Sequence, residues 1–188
     1  MKIILASLIL WAVGCTPLVV KKPIGSNYNP EQLREFEGTW VLKSEGEEPK
    51  VIHLKLLNDQ GRFRKANVEW NEKEKWFDVL ESDVILKKGN EYGILHFAKD
   101  DEEDNPHGLI LITLFQIKDN GDIEYWYTSK DGAAELLESG ILKTESIDGD
   151  PVIIDQPKKI IQTLESRFDD IFDPNSTTTA KKLSPTSR

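Results

Sequence analysis

The hydrophobic rhythm of the chain changes twice. Asn29-Pro30-Glu31-Gln32 reads as a helix start. Asn is a good N-cap, Pro suits the first helical position, and Gln32 completes a box-like pair. That helix is short and stops at Gly38. Apolar and polar positions then alternate with period two. Trp40 and Leu42 share one face, as do Ile52, Leu54 and Leu56, and as do Ala66, Val68 and Trp70. The segments YGILHFA, LILITLFQI and IEYWYT follow, separated by turn clusters at Gly46 to Pro49, Asn58 to Gly61, Lys88 to Asn90 and Asp119 to Asp122. Short strands punctuated in this way predict a mainly β fold, an antiparallel meander forming a small barrel or half-barrel.

The rhythm turns helical again towards the end. Residues 132–138 read as one or two helical turns, and residues 141–147 and 152–154 as late strands. Asp155 then reads as an N-cap, followed by Ile160, Ile161, Leu164, Phe168, Ile171 and Phe172 at helical spacing. This predicts an amphipathic helix of about sixteen residues whose apolar stripe packs on the sheet. Its other face carries Glu165, Asp169 and Asp170, which an anionic lipid surface repels. Tyr125-Trp126-Tyr127 puts aromatics on both faces of one strand. At least one face is therefore wet, covered by that helix, or bound to something.

Composition sets the boundaries. The chain has 188 residues, 38% of them hydrophobic, with a formal net charge of -9. One domain is expected, and neither a disordered chain nor an integral membrane protein. The acidic balance argues against nucleic-acid binding, which needs cations to neutralise phosphates. Residues 15–29 contain two prolines and no helical period, and read as a tether. Pro174 to Arg188 has one Leu and no aromatic residue, so 173–188 reads as a disordered tail. Residues 30–172 form the expected domain.

The first residues carry a different signal. Lys2 precedes an apolar run, Ile3 to Val13, which holds one small polar residue, Ser7, and Gly14-Cys15 follows. The run has the length of a secretory h-region and is too short to cross a bilayer. Ala12-Val13-Gly14-Cys15 resembles the cleavage box of bacterial lipoproteins, with Ala12 where Leu is usual. The resemblance implies that residues 1–14 are a signal peptide. Cleavage would leave Cys15, the sole cysteine, carrying a diacylglyceryl thioether and an acylated amine such as a palmitoyl amide. Several acyl chains on one residue anchor stably where a single chain does not. The expected location is the cell envelope. Thr16 stands where Asp would signal retention in the inner membrane, which favours an outer membrane facing the periplasm in a two-membrane cell.

Signatures of common chemistry are missing. The chain has no G-x-G-x-x-G, P-loop, G-x-S-x-G, H-E-x-x-H or EF-hand loop. No cofactor and no metal are implied, and no catalytic residue is assigned. His53, His96 and His107 lie too far apart in sequence to form a helical ligand pair, and His53 falls on the face opposite Ile52 and Leu54. Asp100 to Asp104 is a run of acids that reads either as a divalent-cation loop or as a solvated hairpin tip. The second reading is preferred, because a cation loop alternates its ligands and turns on glycine. Glu69, Glu81, Asp83 and Glu124 are the strand-region acids to inspect for a hydrolase pair.

Gly38-Thr39-Trp40 follows a short helix and opens the first strand of the meander. It resembles the G-x-W start of lipocalin-type barrels, and the domain is similar to uncharacterised lipocalin-like bacterial lipoproteins. In that family the Trp closes one barrel end and a late-strand Arg packs on it. Here the arginines are Arg34, Arg62, Arg64, Arg167 and Arg188, with none in an expected late strand. The expectation is a non-catalytic, lipid-anchored module that binds a small apolar or amphipathic ligand, with Trp40, Trp70 and Trp126 lining the pocket. The alternatives are an envelope protein that docks a protein partner, or an envelope hydrolase.

Overall fold

The computed structural model describes residues 17–71, 73–98 and 105–183. The signal-peptide reading of residues 1–14, Cys15 and the acidic run Asp100 to Asp104 lie outside the described residues. In chain order the elements begin with β1 (Leu18–Val20), α1 (Pro30–Phe36), β2 (Gly38–Ser44), β3 (Lys50–Asn58) and β4 (Arg62–Asn71). There follow β5 (Trp76–Lys88), β6 (Gly93–Ala98), β7 (Ile110–Ile117), β8 (Ile123–Thr128) and α2 (Lys130–Glu138). The chain ends with β9 (Thr144–Ile147), β10 (Asp150–Ile153), α3 (Pro157–Ser166), α4 (Phe168–Ile171) and β11 (Phe172–Lys182).

β2 to β8 run up and down as a meander, and β11 pairs with both β8 and β2. The result is a closed antiparallel barrel of 8 strands. β7 forks the sheet. Its residues Leu114 to Ile117 pair with β8, while Ile110 to Ile112 pair with β1. β1 continues in parallel to β10, and β10 pairs with β9. A small second sheet thus grows from the barrel where β8 diverges.

The register fixes which side chains share a face, because residues directly opposite in a ladder point the same way. Phe63, Val84, Trp40 and Leu54 point inward and are buried. At this end α1 closes the barrel. Asn29 caps it with the reciprocal Gln32 bond, and Leu33 and Phe36 are buried against the inner side chains. Phe36 meets Phe63 and Phe115 edge-on, with ring centroids 6.3 and 5.9 Å apart. Gly93 sits opposite Phe115 because any Cβ there would lie 2.1 Å from the ring. Trp40 donates its indole N–H to the Phe36 carbonyl at 2.9 Å. Lys182, in the last strand, lies 5.6 Å from the centre of the Trp40 ring and donates to the Glu35 carbonyl at 2.7 Å.

A second core lies outside the barrel. The outward side chains Ile94, Ile112, Leu114 and Trp126 are covered by Leu18, Val20, Ile24, α2, α3 and α4. Trp126 meets Phe168 at 4.9 Å and Tyr92 at 5.8 Å, both edge-on. The strand with aromatics on both faces is therefore covered outside by the C-terminal helices, one of the three outcomes its sequence allowed.

Four expectations are corrected. The stretch 15–29 is no free tether in its described part, because β1 is buried in the sheet and Ile24 and Tyr28 are buried as well. The Ser26 and Lys88 backbones exchange hydrogen bonds at 2.9 and 2.8 Å, which ties the segment to β5. The stretch 173–188 is no disordered tail through Lys182, because β11 closes the barrel. Its composition is polar, but its β-branched threonines suit a strand and the ladder satisfies its backbone. The late helix is broken at Arg167 into α3 and α4, and Gln156 rather than Asp155 precedes it. Finally, Ala66, Val68 and Trp70 do share a parity of β4, but it alternates with the inward one held by Phe63, Lys65 and Asn67, so Trp70 is not at a pocket-lining position.

Candidate functional site

The barrel has two unlike ends. At the α1 end, Trp40, Phe63 and Phe115 form a buried aromatic floor. At the other end the inward positions carry Lys65, Asn67, Glu69, Ser82, Tyr125 and Thr178. Most of these are only half-buried and Ser82 is exposed, while the inward apolar residues Leu42, Ile52 and Leu80 are half-buried too. Water therefore reaches side chains that face the barrel axis. The backbone allows this. β5 pairs with β6 only from Val84 onward, so among the described residues its first half is bonded to β4 alone.

The polar groups of this mouth fall into two sets. On one wall Ser44 and Thr178 share a hydrogen bond of 2.7 Å. Thr178 also bonds the Tyr125 hydroxyl, which bonds Tyr127 in turn, and burial pushes the Tyr125 phenol well above its ordinary value. On the other wall Asn67 donates to Glu69 at 2.9 Å, and Asn71 and the Trp76 indole hold Asp78 at 2.7 and 2.8 Å. Lys65 stands between Leu54 and Ser82 in the register. No acid among the described residues lies within ion-pair distance of it. Burial lowers its proton affinity, the Glu69 carboxylate partly restores it, and Lys50 lowers it further.

The three tryptophans expected to line one pocket do not meet there. Trp40 is in the floor. Trp126 belongs to the outer core beneath α4. Trp70 stands opposite Phe77 on the outward parity of β4. Period-two reading did not reveal Lys65, because a charged residue in an alternating strand is assigned outward by default. The one available signal was Phe63, two positions earlier and strongly apolar, which fixes the inward parity.

The acids singled out as a hydrolase pair are divided among separate places. Glu69 faces the mouth. Glu81 and Asp83 lie outside and share Arg64, at 2.9 and 2.6 Å. Glu124 pairs with Lys118 at 2.5 Å on the outer face. The histidines are equally scattered. His53 contacts Thr39 at 3.2 Å, and His107 contacts Asp148 at 3.3 Å. His96 is fully buried. Its Nε2 accepts the Ile24 N–H at 3.0 Å, so Nδ1 carries the proton and donates to the Ile85 carbonyl at 3.1 Å. Burial pushes its proton affinity down to about 4. His96 holds the N-terminal segment to the barrel wall.

Two surface depressions lie away from the mouth. One of about 410 Å³ separates α3 from the turn at Asn90. Its Glu165 carboxylate is occupied by the Asn90 and Glu91 backbone N–H groups at 2.8 and 2.9 Å. The other, of about 540 Å³, lies beside the β6–β7 connection and includes His96 and Leu109. Among the described residues no group of three or more His, Cys, Asp or Glu side chains gathers as a metal site. No described helix is long and apolar enough to cross a membrane.

Fold and site together define a closed eight-stranded antiparallel barrel with a plugged aromatic floor and a wet, polar mouth. No family model, curated protein or solved structure matches the chain.

Proposed function

We propose that this chain is a lipid-anchored protein of the cell envelope whose barrel mouth binds a small amphipathic ligand without transforming it. The observation that carries the reading is the contrast inside the barrel. Inward side chains are buried at the floor and wetted at the mouth, beside half-buried Leu42, Ile52 and Leu80. Eight strands enclose an interior that is either filled by side chains or able to hold one small ligand. A wet mouth over an apolar floor suits a molecule with a polar head and an apolar body.

The anchoring part of the proposal rests on the Ala12 to Cys15 box. With Leu18 already in the sheet, acylated Cys15 leaves about 10 Å of chain between bilayer and barrel. The domain would then sit against the membrane by its β1 side, with β3 and β4 turned away, in the outer membrane if the cell has two.

A second reading, docking of an envelope protein, has its own support. Val68, Phe77 and Val79 are 58, 67 and 61% exposed on one face of the β4–β5 ribbon. Contiguous exposed apolar surface of this kind marks interaction sites. Native mass spectrometry of the protein released gently from its own cells separates the two. A bound mass of a few hundred daltons is the expected result. A ligand-free chain that retains a protein partner would replace the first reading with the second.

A further inference from the structure

We propose that Lys65 makes the barrel mouth selective for amphipathic monoanions, pairing its ammonium with a carboxylate or phosphate head while the acyl chain lies along Leu42, Ile52 and Leu80. The inference rests on the mouth being the ligand site, and it names the class of ligand. Lys65 is held inward by the register, one step above Phe63, so its half-buried ammonium is kept on the barrel side of the wall. The cost of half-burying this cation is only partly met by the more distant Glu69, and a charge-assisted hydrogen bond to an anion offsets the rest. Glu69 accepts from the Asn67 amide through Oε1 and is not within ion-pair distance of Lys65. Lys50, at the start of β3, adds a second positive charge that Lys65 senses. Beside Lys65 the wall supplies the Ser82 hydroxyl, a neutral donor for a second head-group oxygen. One inward step from Lys65 towards the mouth, Ile52 and Leu80 flank Asn67 in the register, and their apolar side chains suit an alkyl chain that runs outward from the head.

The test uses the full-length protein in phosphatidylcholine nanodiscs, with binding heats read against empty nanodiscs. Decanoate, decyl phosphate and decanol share one chain length and differ in the head. Wild type is expected to bind at least one of the two anions tenfold or more tightly than decanol. Decanoate alone would identify a free acid as the ligand type, and decyl phosphate alone a lipid phosphate. Lys65→Met should bring the anions to within about threefold of decanol, while Lys65→Arg, which keeps the charge, should retain most of the preference. If decanol binds as well as the anions, or if Lys65→Met leaves their preference intact, the anion inference is wrong and the mouth remains a ligand site. If none of the three binds wild type, the ligand-site reading itself fails.

Discussion

The barrel wall is built in two ways. β6, β7 and β8 are buried on both faces: Leu114 and Trp126 point out under the helices, and Phe115 points in towards the floor. β3, β4 and β5 cover an inner face that is wet towards the mouth, and their outer face is bare, with Val51 and Val68 exposed. The sequences record the difference. ILITLFQI is apolar almost throughout, as strands covered on both sides are. RFRKANVEW alternates, but past Phe63 its polar residues take the inward parity and its apolar ones the outward. One wall is a structural spine, and the other leaves both its faces available for binding.

The largest expected effect comes from removing what joins the two walls. Ending the chain at Asp173 deletes the part of β11 that pairs with β2, so the barrel cannot close. We expect loss of the cooperative urea transition, seen by tryptophan fluorescence. Survival of a sharp transition would show that β11 is dispensable.

Single truncations on the two outer faces should then differ. Leu114→Ala opens a void beneath the helices and should cost about 2–5 kcal/mol. Val68→Ala, on the bare face, should stay within about 0.5 kcal/mol of wild type. Equal costs in urea denaturation would contradict the comparison.

Acid should weaken the spine through His96. Its folded-state affinity near 4 lies below its ordinary 6.5, so between these pH values the unfolded chain takes up a proton that the folded chain refuses. The contribution is complete above pH 6.5 and falls as pH drops, by about 3 kcal/mol at pH 4. Protonation would also turn Nε2 into a donor facing the Ile24 N–H. A His96→Gln variant should show a flatter decline of the urea midpoint from pH 6.5 to pH 4.5. An identical slope would assign the acid sensitivity to other groups.

Much of the fold was legible in the sequence. The capped helix at Asn29, the meander and the late amphipathic stripe appear where periodicity placed them. Three of the errors share one cause, the assumption that apolar means inside and polar means outside. PNSTTTAKK was set aside as a tail for want of apolar residues, yet a strand between two others needs backbone partners more than a greasy face. With it went Lys182, which packs on Trp40 from the last strand, where the lipocalin resemblance called for an Arg. Trp70 was set in the pocket because it is aromatic, although the ribbon that carries it runs past the part of β3 that pairs with it. Lys65 was missed for the converse reason. A wet mouth reverses the usual code, and alternation alone carries no mark of where a barrel stops being filled.

The most direct test of the account fills the mouth. Ser82 faces inward and is exposed, so Ser82→Trp should be accommodated without overpacking. We expect an unfolding free energy within about 1 kcal/mol of wild type, together with at least a tenfold loss of amphiphile binding. A destabilisation of about 1–3 kcal/mol, the usual result of forcing a large side chain into a packed interior, would show that the mouth is already full. Unchanged binding in a folded Ser82→Trp protein would place the ligand somewhere other than the barrel.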